Sequence, residues 1–252
     1  MSRPAAYSEF MTIPAKPKAV LFDAYGTLFD VHSVSVRADS LFSKIGEGTG
    51  KGTGTGKGAA LSLLWREKQI DYTRLRTMSE PNGAHYKPFW EITRDALRFA
   101  CKRLELPLSA DAEAALMEAY KQLSPFPENR GVLEQLNARG IATGVLSNGD
   151  PQMLKWSIAS AGFNELLQHC LSADAVRKFK TAPEAYALGT AALGLPAEEI
   201  VFVSSNCWDA CAATWFGYTT LWVNRAGLPL DELGVQPHRI GRDLADVLEF
   251  FD

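Results

Sequence analysis

Asp23 closes a run of four apolar residues, Ala19-Val20-Leu21-Phe22, and opens a turn, Ala24-Tyr25-Gly26-Thr27-Leu28. A carboxylate at the end of a buried strand, beside a glycine turn, faces a ligand while partly stripped of water. With a cation to keep it ionised, such a group is a nucleophile. A lone aspartate of this kind could equally cap its own turn, but the pattern repeats. Ile141–Leu146 runs into Ser147-Asn148-Gly149-Asp150-Pro151, Ile200–Val203 into Ser204-Ser205-Asn206, and Tyr218–Val223 into Asn224-Arg225. In an open α/β sheet these ends share one edge, so Asp23, Thr27, Ser147, Asn148, Ser204, Asn206 and Asn224 converge there. Ser147, just ahead of a helix expected to start at Pro151, has a hydroxyl and neighbouring N–H groups suited to a carboxylate. Other chemistries find less support. Gly144–Gly149 is not a GxSxG elbow, and His32, His85, His169 and His238 form neither a triad nor a metal-ligand spacing.

The elements that must position these residues alternate. Helical patterns cover Arg130–Arg139, Pro151–Ala161, Pro183–Leu193, Trp208–Phe216 and Leu244–Phe251, between and after the four apolar runs. That alternation predicts a doubly wound, mostly parallel α/β sheet. Residues 33–123 break it, with helical pattern only, at Leu61–Met78, Tyr86–Leu104 and Ala110–Leu123. We read this block as an inserted helical cap, hinged near Asp30–Ser33 and Leu123–Glu128, over a core made of residues 18–32 and 124–252. Residues 1–17, with Pro4, Pro14 and Pro17, read as a flexible leader. The glycine-rich stretch 46–58 lacks the spacing and the preceding strand of a phosphate loop, and reads as a flexible surface loop.

Composition sets the outer bounds. The 252 residues are 46% hydrophobic, enough for a sizeable core, and a net charge of −3 gives no field to recruit nucleic acid or an anionic membrane. Cys101, Cys170, Cys207 and Cys211 form no CxxC pair, which suits a reducing compartment better than a disulfide scaffold. The opening 20 residues hold no apolar run of signal-peptide length and no later stretch could span a bilayer, so the expectation is a soluble cytoplasmic protein.

With these positions laid out, the chain resembles the L-2-haloacid dehalogenases of the haloacid dehalogenase superfamily. The resemblance rests first on Phe22-Asp23-Ala24-Tyr25-Gly26-Thr27-Leu28-Phe29-Asp30 and on Phe202-Val203-Ser204-Ser205-Asn206-Cys207-Trp208-Asp209. Trp65-Arg66-Glu67-Lys68-Gln69, Thr93 with Asp95-Ala96-Leu97-Arg98, and Leu146-Ser147-Asn148-Gly149 extend it along nearly the whole chain. It implies a Rossmann-like core with a helical cap, a homodimer, and hydrolysis of small L-2-haloalkanoic acids with inversion and release of halide. Asp23 would be the nucleophile, held by Thr27. Asp209 with Lys180, Ser204 and Asn206 would orient water, and N–H groups after Asp23, Ala24 among them, would stabilise an oxyanion. Arg66 would meet the departing halide or the substrate carboxylate. Tyr25, Phe89, Asn148 and Trp208 would line the pocket with Ser147 and Tyr186. The lysine beside Asp23 is Lys180 or Lys178. The family's Lys-Pro step is replaced here by Lys180-Thr181-Ala182-Pro183, and the distance to Tyr186 favours Lys180.

Elementary chemistry separates this reading from a phosphatase of the same fold. A phosphatase needs a second acid two residues after the nucleophile to protonate an alkoxide, and this chain has Tyr25 there. A magnesium site needs clustered carboxylates, whereas Ser204 and Ser205 occupy the last motif and leave Asp209 as its one acid. No metal and no cofactor is therefore expected. A phosphatase would show itself by magnesium dependence. A non-catalytic carboxylate-binding protein, the other alternative, would be free to lose Asp23, Lys180 or Asp209.

Overall fold

The computed structural model describes residues 12–42, 57–79 and 83–252. Six strands form one parallel sheet in the order β3-β2-β1-β4-β5-β6: β1 Ala19–Phe22, β2 Ala142–Ser147, β3 His169–Ser172, β4 Ile200–Ser204, β5 Thr219–Val223 and β6 Arg239–Gly241. Parallel strands need helical crossovers, which cover both faces and demand apolar side chains on each. β1 meets that demand in full. Val20 and Phe22 enter the larger hydrophobic core, while Ala19 and Leu21 pack with Tyr186, Phe202 and Tyr218 on the opposite face. The crossovers and their neighbours are α5 Asn129–Ala138, α6 Pro151–Ala161, α7 Pro183–Leu193 and α8 Cys207–Phe216.

The four central strands were legible as apolar runs because they are buried on both sides. β3 and β6 were not. Both lie at sheet edges, are only partly buried, and carry mixed sequences, His-Cys-Leu-Ser and Arg-Ile-Gly. The closing helix expected at Leu244–Phe251 is a 3₁₀ helix over Leu244–Phe250, capped by Asp243.

Between β1 and α5 the chain forms α1 Val34–Phe42, α2 Lys57–Ser79, α3 Phe89–Arg103 and α4 Ala110–Lys121, which pack on one another as a helical block. The chain leaves the sheet and returns to it side by side. Asp30 N–H donates to Ser124 O at 2.8 Å, and Phe29 bridges Pro125. Residues 1–11 of the expected leader and 46–56 of the glycine-rich stretch lie outside the described residues. Lys57 and Gly58 correct the loop expectation: both belong to the first turn of α2. A Cβ at Gly58 would lie 2.3 Å from Ser35 O, so only glycine lets α2 start this close to α1. Among the described residues no helix is long and apolar enough to cross a membrane.

Candidate active site

Gly26 makes the turn after Asp23 with φ of +97°, a conformation that a side chain strains against. The turn brings Thr27 back under the carboxylate. Asp23 is 6% exposed, and each of its oxygens is held. Oδ1 receives Lys180 Nζ at 3.1 Å. Oδ2 accepts from Asn206 Nδ2 at 3.1 Å and from Thr27 Oγ1 at 3.2 Å. Thr27 Oγ1 itself accepts from Ser205 N–H at 2.8 Å, which commits its proton to Asp23. Three donors, one of them cationic, thus fix one buried carboxylate in place.

Lys180 is 1% exposed and bridges two carboxylates, lying 3.1 Å from Asp23 and 3.1 Å from Asp209. Its ammonium also sits 4.6 Å from the centre of the Phe202 ring, an added attraction for a buried cation. Lys178 instead pairs with Glu184 at the surface, so of the two candidates it is Lys180 that reaches Asp23. Asp209 stands in the first turn of α8 and is fully buried. Burial pushes its carboxyl above the usual carboxylate range. Lys180 pulls it back and the neighbouring Asp23 charge adds to the rise. Tyr186 OH donates to Asp209 Oδ1 at 2.7 Å. Burial, and then Asp209 itself, push the Tyr186 phenol well above its ordinary value, so it stays a donor.

Above this pair lies a closed cavity of about 10 Å³, roughly the room for one water. α2 contributes Arg66, Ile70 and Thr73 to its roof, and Phe89 opens α3 beside them. Arg66 Nη2 donates to Tyr25 O at 3.0 Å. The Tyr25 ring stacks on Phe89 at 5.9 Å, making one aromatic wall, and Trp208 makes another beneath the Arg74 guanidinium at 4.7 Å. Gly149 permits the first wall, since a Cβ there would lie 2.7 Å from Tyr25 Cε2. Asn148 Oδ1 accepts from Lys180 N–H at 2.8 Å, leaving its NH₂ for the cavity. The block is tied down over the site. Asp150 accepts both Met153 N–H of α6 and Trp90 N–H of α3, and Phe179 N–H donates to Thr77 Oγ1 at 3.1 Å.

Comparison with known proteins gives this geometry a family. A model of the haloacid dehalogenase-like hydrolases matches residues 17–217. The chain is a haloacid dehalogenase-like hydrolase. It is 41% identical over 235 residues to an (S)-2-haloacid dehalogenase of Pseudomonas sp. (strain YL), spanning 93% of this chain and 94% of that one. A solved L-2-haloacid dehalogenase is 56% identical with a TM-score of 0.87, covering 94% of this chain and 99% of that chain. The L-2-haloacid dehalogenase of Xanthobacter autotrophicus, solved with chloropropionic acid covalently bound, is 31% identical with a TM-score of 0.80, covering 93% of this chain and 98% of its own.

In this haloacid dehalogenase-like hydrolase the cavity gathers Asp23, Tyr25, Arg66, Phe89, Ser147, Asn148, Lys180, Asn206 and Trp208. Thr27 and Asp209 join them through hydrogen bonds to Asp23 and Lys180. Three expected site residues stand back from the cavity. Ser204 Oγ accepts from Asn206 N–H at 3.2 Å and so shapes the turn that aims Asn206. Tyr186 touches Asp209 and none of the cavity. Ala24 is fully buried, and its carbonyl accepts the N–H groups of Thr27, Leu28 and Phe29, closing the turn. Ile70 and Thr73 were missed, although they lie four and seven residues after Arg66 and therefore on its face of α2. Among the described residues no three His, Cys, Asp or Glu side chains gather to hold a metal ion, and the ground between Asp23 and Asp209 belongs to the Lys180 ammonium.

Proposed function

We propose that this chain hydrolyses small L-2-haloalkanoic acids to D-2-hydroxy acids through an ester on Asp23, without metal or cofactor. The observation that carries the reading is the buried carboxylate of Asp23, held by Lys180, Asn206 and Thr27 and facing a closed cavity with Arg66 in its roof. The relatives named (S)-2-haloacid dehalogenase, and the Xanthobacter enzyme carrying covalently bound chloropropionic acid, support the same chemistry.

In the first step an Asp23 oxygen attacks the α-carbon opposite the carbon–halogen bond, and that bond's electron pair leaves with the halide. Halide needs no proton, so the aromatic Tyr25 serves where a phosphatase needs an acid. Arg66 and the Asn148 NH₂ receive the developing negative charge. Ser147 stands where β2 meets α6 to orient the substrate carboxylate. In the second step water adds to the Asp23 carbonyl carbon and gives its proton to Asp209, whose raised pKa makes it the better base. Backbone N–H groups after Asp23 meet the oxyanion. The tetrahedral intermediate then breaks its bond to the substrate oxygen, and Asp209 returns its proton to that oxygen. The hydroxy acid leaves with its α-carbon inverted, and the acid left on Asp23 loses its proton to regenerate the carboxylate.

A single turnover in heavy-oxygen water, with enzyme in excess, tests the scheme. The label appears in Asp23 and the released hydroxy acid carries unlabelled oxygen. Label in the released acid alone would mean direct attack of water on the α-carbon. Tyr186→Phe supplies a separate check, since Asp209 loses its buried phenol donor. The second step slows about tenfold or more, because the phenol bond favours the charged form of Asp209 and its loss leaves less ionised base, and ester accumulates while its formation is unchanged. Quenched-flow mass analysis reads both steps.

The helical block acts as the cap, which a cavity of about 10 Å³ requires to open before any haloacid enters. A homodimer would bury Leu63, Leu75 and Met78, which stand 62%, 64% and 81% exposed along α2. The four cysteines are free thiols, which suits a cytoplasmic enzyme.

A further inference from the structure

A second cavity, of about 280 Å³, lies on the far side of Arg66. Arg66 and Asn206 line both cavities, so the two adjoin across them. Ser205 and Arg225 line this chamber, and a buried donor of each, Ser205 Oγ and Arg225 Nε, has no hydrogen-bond partner. Such groups are costly unless something satisfies them. The rest of the Arg225 guanidinium is occupied, paired with Glu128 and stacked 3.9 Å from the centre of the Phe126 ring. Asp30 also lines the chamber, so its charge is balanced rather than strongly positive. A site of that kind admits an anion and lets it go.

The dehalogenase chemistry, on which this inference rests, creates a need for such a chamber. The first step turns one anion into two species, a halide and an ester still fixed to Asp23. The halide forms in a cavity roofed by the helical block, beside an ester that keeps its place on Asp23. We propose that the second chamber is the exit station of the halide. Released against Arg66, the ion passes to Ser205 Oγ–H and Arg225 Nε–H and leaves past Ala226 and Leu228 at the exposed rim, while the ester remains. No bond is made or broken in this passage.

Two measurements on the full chain test it. In crystals soaked in sodium bromide, anomalous scattering places a bromide within hydrogen-bond distance of Ser205 Oγ and Arg225 Nε. Ser205→Ala lowers that site's bromide affinity about tenfold, the worth of one hydrogen bond to an ion. No bromide at those two atoms overturns the proposal. In single turnovers of bromoacetate, Ala226→Trp narrows the rim. Ester forms at the wild-type rate, and free bromide, read with a halide-sensitive dye, lags behind it. Bromide appearing in step with the ester in both proteins overturns the exit route and leaves the dehalogenase reading intact. Absence of bromide release by wild type from any haloacid would instead overturn that reading.

Discussion

Asp23→Asn protein forms no ester and releases halide from 2-chloropropionate on the order of 10⁴-fold or more slowly than wild type, the scale of losing a covalent nucleophile. The amide keeps the shape and can still meet Thr27 and Asn206, but it carries no charge and no nucleophilic oxygen. Lys180 retains Asp209 at 3.1 Å, so the change does not strand a buried cation. The fold therefore survives, and a thermal melt close to wild type separates lost chemistry from lost structure. Halide electrode traces over hours measure the residual rate. A rate near that of wild type would move the nucleophile elsewhere and take the proposed mechanism with it.

Asp209→Asn has the opposite signature. Asp23 keeps its three donors, so attack on the α-carbon proceeds and halide appears as one burst per active site. Water then lacks its base, and hydrolysis of the ester slows by about 10²–10⁴-fold, the usual reach of general base catalysis. Incubation with chloroacetate leaves the intact protein heavier by one carboxymethyl group, and peptide mapping places it on Asp23. Steady turnover with no trapped ester would show that another group activates water. The two variants together assign one carboxylate to each step. Their separation within the site follows from Lys180 standing between them.

Much of this was readable along the chain because buried parallel strands advertise themselves. Ala19–Phe22 and Ile200–Ser204 are apolar throughout, and the polar residues at their ends are conspicuous by contrast. What sequence left open depended on contacts between distant residues. The bridge of Lys180 between Asp23 and Asp209 joins three separate crossovers, and in the sequence only the distance to Tyr186 favours Lys180 over Lys178. Tyr186 and Ser204 illustrate a second limit. A polar side chain that backs a catalytic group has the same spacing as one that touches substrate, and burial alone tells them apart. The edge strands β3 and β6 failed for the converse reason, since one open side dilutes their apolar pattern.

The paired crossing of the chain at Phe29–Asp30 and Ser124–Pro125 bears on how such enzymes diversify. An insertion whose two ends are neighbours adds no constraint on strand order, so its length and lining can drift while every register in the sheet is kept. Attack by Asp23 and hydrolysis of its ester stay with the sheet, while breadth of accepted acids travels with the helices, as does the Arg66 contact to the halide. Grafting the helices of one relative onto the sheet of another should transplant taste, provided the incoming α2 keeps an arginine at the place of Arg66.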